Sequence, residues 1–102
     1  EGNVIFPGVT LNTEVEVGDN CIIATNASID HETILKDHTL ISAGVIIGAG
    51  CIIGKRALCA LGSNVISRVT IGENALIASG SVVVKDIKDN AKVVGIPAIE
   101  KK

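Results

Sequence analysis

Residues 41–54 read Ile-Ser-Ala-Gly-Val-Ile-Ile-Gly-Ala-Gly-Cys-Ile-Ile-Gly, with Ile41, Ile47 and Ile53 standing six apart. Stepping by six in both directions extends this series back through Leu35, Ile29, Ile23, Val17 and Leu11 to Ile5, and forward through Cys59, Val65, Ile71 and Ile77 to Val83. Thirteen of these fourteen residues are aliphatic, although Ile, Val and Leu make up only 34 of the 102 residues. The fifth place of each hexad holds a Val-sized or smaller residue, as at Val45, Cys51, Ala57 and Ser63, until Ile87 ends the run. Gly, Asn and Asp crowd the second to fourth places, as in Gly18-Asp19-Asn20 and Gly72-Glu73-Asn74.

A helix cannot use this period, because six residues at about 100° each smear the apolar set around its axis. A strand can. The fifth place and the next first place are two apart and share one face, while the sixth place between them points away. The Gly/Asn/Asp places supply the left-handed backbone of a tight corner. Each hexad is therefore one short strand plus one corner. A single short strand buries nothing, so the hexads must stack as an all-β solenoid with inward aliphatic ladders. The expected layout is a solenoid over residues 1–88, on the order of 20 Å tall at ~4.8 Å per layer. Residues 89–102, with Gly95-Ile96-Pro97-Ala98, are expected to form a loop and tail.

Composition narrows the partners. A net charge of −2 and a pI near 5.6 leave no electrostatic footprint for nucleic acid or an anionic membrane surface. One Phe and no Tyr, Trp or Met force the core to be built from aliphatic residues, Ala and Cys. Mean hydropathy is +0.50, yet no apolar run approaches the ~20 residues of a spanning helix. No basic-then-apolar leader is visible, and three cysteines are an odd number for a disulfide framework, so a reducing, cytoplasmic setting is expected. No Cys or His spacing suits a metal, and the cysteines are expected to fill the core. Glu1 in place of Met suggests a piece of a longer protein.

Tandem [Ile/Leu/Val]-Gly-x-x-[small]-x hexads closed by Val93-Val94-Gly95-Ile96-Pro97-Ala98 resemble the hexapeptide-repeat acyltransferases. The resemblance implies a left-handed parallel β-helix with three hexads per coil. Ala27-Ser28-Ile29-Asp30-His31-Glu32 is similar to the segment carrying the catalytic His-acid pair in the bacterial sialic acid O-acetyltransferase and nucleotide-amino-sugar N-acetyltransferase branch. The implied function is an acetyl-CoA-dependent acetyltransferase acting on an amino or hydroxyl group of a sugar, and the resemblance also implies an upstream sugar-binding domain outside these residues. His31 occupies a corner, where neutral imidazole suits a general base near pH 7, and Glu32 is implied to hold its other ring nitrogen. The family's register places acetyl-CoA against Leu61, Gly62, Ser79 and Gly80, with Lys85 and Lys88 as candidates for its phosphates. The sequence departs from the family nine residues after the base, where a second His is common and Leu40 stands here. His38 falls on a different corner.

The same repeat is compatible with other functions. A zinc carbonic anhydrase needs three His ligands, and the chain has two His in all. An ice-binding solenoid needs outward Thr ladders, which are missing. A non-catalytic β-helix scaffold is the alternative that Leu40 keeps open. Finally, the sixth places point outward, and one set reads Ile22, Leu40, Leu58 and Leu76, with the eighteen-residue step landing next on Val94. An apolar stripe along one outer face marks an interface, and the resemblance implies a homotrimer.

Overall fold

The computed structural model describes residues 1–101. Each hexad contributes a two-residue strand made of its sixth and first places, and the strands fall into three faces. The first face stacks β1 (Val4–Ile5), β4 (Ile22–Ile23), β7 (Leu40–Ile41), β10 (Leu58–Cys59), β13 (Leu76–Ile77), β15 (Lys92–Val94) and β16 (Ile99–Glu100). The second stacks β2 (Thr10–Leu11), β5 (Ser28–Ile29), β8 (Ile46–Ile47), β11 (Asn64–Val65) and β14 (Val82–Val83). The third stacks β3 (Glu16–Val17), β6 (Ile34–Leu35), β9 (Ile52–Ile53) and β12 (Thr70–Ile71). Pairing within each face is parallel apart from the β15–β16 pair. No helix of the structure is long and apolar enough to cross a membrane.

The register explains the period. Ile22 pairs with Leu40, Leu40 with Leu58 and Leu58 with Leu76, an eighteen-residue step that puts three hexads in one coil. Like places therefore stack on like places. First-place residues Ile23, Ile41, Cys59 and Ile77 form one fully buried ladder, and Ile29, Ile47 and Val65 form another. The small fifth places leave room for these branched side chains within a prism about 20 Å across. Polar fifth places are satisfied inside it: the Thr33 hydroxyl donates to the Gly48 carbonyl at 2.8 Å and the Ser63 hydroxyl to the Ala60 carbonyl at 2.8 Å. No buried side-chain nitrogen or oxygen among the described residues lacks a partner.

The corners divide the work between two places. Every fourth place from Gly8 to Gly80 has positive φ, including Glu32 at 62° and His38 at 62°. The second-place glycines Gly18, Gly48, Gly54 and Gly72 instead answer a close approach of the following coil. A Cβ on Gly54 would lie 2.8 Å from the Glu73 backbone nitrogen in the next coil.

Three expectations are corrected. Ile5 and Leu11, read as inward core, are 49% and 38% exposed because no described coil stacks on their open side. After Val83 the step shortens from eighteen to sixteen: Ile71 bridges Ile87 and Leu76 pairs with Lys92, not with Val94. The shortened corner is held by the Asp86 carboxylate, which accepts the Thr70 N–H at 2.9 Å. Ile87 therefore takes a first place, not a fifth. The long dimension is 34 Å rather than about 20 Å, because residues 92–94 and 99–100, within the stretch read as loop and tail, add β15 and β16 to the first face.

Candidate functional site

His31 sits on the corner between β5 and β6, where the second face turns into the third. The Asp30 carboxylate shapes this corner, accepting the His31 backbone N–H at 2.7 Å and the Asn12 amide of the preceding coil at 3.1 Å. From the other side, the Gly50 N–H donates to the His31 carbonyl at 3.0 Å. The backbone is thus fixed from both neighbouring coils while the imidazole stays 45% exposed. Its Nδ1 lies 3.2 Å from Glu32 Oε1. A carboxylate only accepts, so this contact places a proton on Nδ1 and leaves Nε2 with a free lone pair. Such an imidazole can take a proton from an attacking hydroxyl or amine. Glu32 approaches its neighbour from a left-handed conformation that Gly or Asn fills at many other corners.

His38 lies between β6 and β7, on the corner joining the third face to the first, so the two histidines are on different edges. Leu40 is on the outer side of β7 and half-buried. Leu61-Gly62 and Ser79-Gly80 occupy successive coils on the edge between the first and second faces. The Gly62 and Gly80 N–H groups are already engaged, donating to the Ala43 and Leu61 carbonyls at 3.0 and 2.9 Å. The N–H groups of Leu61 and Ser79 carry no partner among the described residues. Leu61 is 59% exposed, and a Cβ on Gly62 or Gly80 would meet nothing within 4 Å, so this edge is open. Within one chain this edge and the His31 edge are opposite ends of the second face, so the structure does not bring the two sets together. Lys85 and Lys88 both line one cavity of about 300 Å³ near the C-terminal end, where Lys88 Nζ is 3.4 Å from Glu100.

Sequence reasoning overlooked Asp30 and Asn12 as the brace of the His31 corner, and Arg68 on the same edge. The eighteen-residue step was signal enough, since it stacks Asn12 on Asp30 and Arg68 above Glu32 with Gly50 between. The three cysteines are buried and unpaired. Burial, reinforced by Cys51, pushes the Cys59 thiol up to about 12, so it is no nucleophile at neutral pH.

Comparison with known proteins gives the family. The model described as "Hexapeptide repeat of succinyl-transferase" matches residues 14–31 and 44–85. No curated protein matches the chain. Among solved structures, GDP-perosamine N-acetyltransferase from Caulobacter crescentus, a histidine-to-alanine mutant in complex with CoA and GDP-perosamine, is 29% identical with a TM-score of 0.90. The match covers 99% of this chain and 54% of that one. Serine acetyltransferase from Neisseria gonorrhoeae in complex with serine is 27% identical with a TM-score of 0.73, covering 99% of this chain and 43% of that one. The polysialic-acid-specific acetyltransferase NeuO shares the fold at 18% identity and a TM-score of 0.80, covering 86% and 47%. The solenoid is thus a left-handed parallel β-helix. The chain spans about half the length of these solved relatives.

Proposed function

From the premise that this chain belongs to the hexapeptide-repeat family, we propose that it forms the β-helix of an acetyl-CoA-dependent acetyltransferase. The acceptor is an amino or hydroxyl group of a sugar, either nucleotide-linked or a sialic acid. The observation that carries the reading is the His31–Glu32 contact of 3.2 Å on a braced, solvent-open corner. A relative of 29% identity, solved with CoA and GDP-perosamine, supports both the donor and the acceptor class.

His31 Nε2 removes the acceptor's proton as its nitrogen or oxygen attacks the thioester carbonyl. Glu32 keeps the proton on Nδ1 and stabilises the imidazolium that forms. The imidazolium then returns its proton to the departing CoA thiolate, so the acetyl group moves and the enzyme ends unchanged. No protein–acyl bond is needed, which suits a chain whose cysteines are all buried. Leu61, Gly62, Ser79 and Gly80 are the proposed CoA edge, with the Leu61 and Ser79 amides as donors to the pantetheine carbonyls. Because this edge and His31 lie apart in one chain, a site needs two chains, and we assign the protein a homotrimer. Its unpaired thiols favour the cytoplasm. Leu40, where the family commonly has a second His, favours a second reading, a non-catalytic scaffold.

The test is acetyl transfer, read as release of the CoA thiol, together with acetyl-CoA binding. His31→Ala is expected to keep its β-rich circular dichroism and to lose about 10²–10⁴ in rate. A variant keeping more than a tenth of the activity removes His31 from the mechanism. Acetyl-CoA at 100 times its dissociation constant is expected to stabilise the protein by about 2.7 kcal/mol. No thermal shift at millimolar acetyl-CoA favours the scaffold.

A further inference from the structure

Arg68 occupies the fourth place of its hexad on the same edge as His31, two coils further along, with positive φ. Between them the corner is Gly48-Ala49-Gly50, which carries no side chain larger than a methyl. Arg68 fills part of that gap from above. Its Cγ and Nη1 lie 3.8 and 3.6 Å from where a Cβ on Gly50 would be, so the side chain runs back across Gly50 toward the His31 coil. Arg56, in the same place of a hexad on another edge, does the reverse: it reaches toward the following coil and pairs with Glu73 at 2.9 Å and Asn74 at 3.1 Å. Arg68 has no ion pair or side-chain hydrogen bond among the described residues. An exposed guanidinium without a partner among the described residues thus lies beside Gly50, one coil or about 4.8 Å above the level of His31–Glu32.

We propose that Arg68 is a specificity-determining residue that holds an anionic group, phosphate or carboxylate, of the acceptor whose nucleophile is presented to His31. The inference rests on the acyl-transfer reading and deepens it by naming the residue that reads the acceptor's negative charge. A guanidinium fork matches two oxygens of a phosphate or carboxylate. The span decides between donor and acceptor. A sugar carries an anomeric phosphate or a ring carboxylate within one ring's width of its reactive amine or hydroxyl. The nearest phosphate of CoA is separated from the thioester by the whole pantetheine arm, too long for the single coil between His31 and the guanidinium. Gly50 makes the arrangement possible, because any side chain there would occupy the gap.

The experiment exploits the chain's having only two histidines, which lie on different edges. Ring-labelled full chain is titrated with inorganic pyrophosphate and, separately, with CoA, while the His31 and His38 signals are followed by NMR. Pyrophosphate is expected to shift the His31 ring saturably and leave His38 still. Arg68→Asn keeps a residue that this place carries at Asn20, Asn26 and Asn74, so the fold is expected to persist. It should weaken pyrophosphate binding at least about tenfold, leave CoA affinity unchanged, and be partly rescued by Arg68→Lys. The proposal is overturned if pyrophosphate moves neither ring or both equally, if Arg68→Asn binds it as tightly, or if CoA affinity falls in step. Wild-type protein that binds pyrophosphate beside His31 but not CoA sinks the acyl-transfer reading and leaves the anion site standing.

Discussion

Cys59 stands in a ladder otherwise made of Ile and Val, and its sulfur is sealed between the coils above and below. Burial holds its thiol at about 12 against an ordinary 9.0, so the folded chain keeps a proton that the unfolded chain releases. The sign follows directly. This contribution is intact below pH 9.0 and is lost as the pH rises toward about 12, at up to about 1.4 kcal/mol per pH unit. Cys59→Val, a residue that the neighbouring ladder accepts at Val65 and Val83, removes that proton. Urea midpoints of the two proteins are expected to keep a constant offset at neutral pH and to move in the variant's favour in alkali. A constant offset throughout would show that the thiol is not responsible. At this scale the sequence was legible where a side chain repeats, so that three cysteines in inward places read correctly as filler. It was harder to read where a side chain reaches sideways into the next coil, as Asn12 does to Asp30, because only stacking at the eighteen-residue step brings the two together.

Strand and corner alternate so tightly that the elements differ mainly in what their glycines permit. Gly44 and Gly54 are both corner glycines, at the fourth and second places of their hexads. Gly44 has positive φ and nothing within 4 Å of an added Cβ, whereas Gly54 is pressed against the backbone of the following coil at 2.8 Å. Gly54→Ala is therefore expected to push two coils apart and cost about 1–3 kcal/mol. Gly44→Asn, which supplies the residue most tolerant of that backbone, should change stability little. Thermal unfolding of the pair distinguishes the two demands, and equal losses would mean that backbone conformation rather than close approach governs both. The same blindness explains the register error after Val83. Ile87 fits an inward fifth place in an unbroken repeat and equally an inward first place after a corner two residues short. Only pairing with Ile71 separates them. Periodicity identifies the element; it does not announce the one corner that breaks it.

At the scale of the molecule, stacking converts a one-in-eighteen spacing into a surface. Val4, Ile22, Leu40, Leu58 and Leu76 line up along the outside of the first face, and the column ends on Lys92 because of the shortened corner. The structure thus extends the stripe at the Val4 end and closes it with a charge at the other. Ile22 is 40% and Val4 49% exposed in the single chain, and burying such side chains is worth roughly 1.5–3 kcal/mol each. A threefold ring is closed by heterologous contacts, in which one surface of a chain meets a different surface of the next. That geometry suits the proposed chemistry, because the His31 edge and the Leu61–Ser79 edge of one chain are a full face apart and the proposed site takes its second edge from a neighbour. In the proposed trimer Leu40 belongs to the contact between chains, in the position where the resemblance leads one to expect a second His. Leu58→Lys combined with Leu76→Lys is expected to yield monomers with unchanged circular dichroism and no acetyl transfer. Mixing His31→Ala with a Gly80→Arg variant, each inactive alone, should restore part of the activity if subunits exchange, because mixed rings contain an intact His31 edge beside an intact Gly80 edge. Light scattering that shows the unmutated protein monomeric at micromolar concentration would remove the ring and the shared site together. A double-lysine monomer that still transfers acetyl groups would leave the ring as an assembly without a catalytic role.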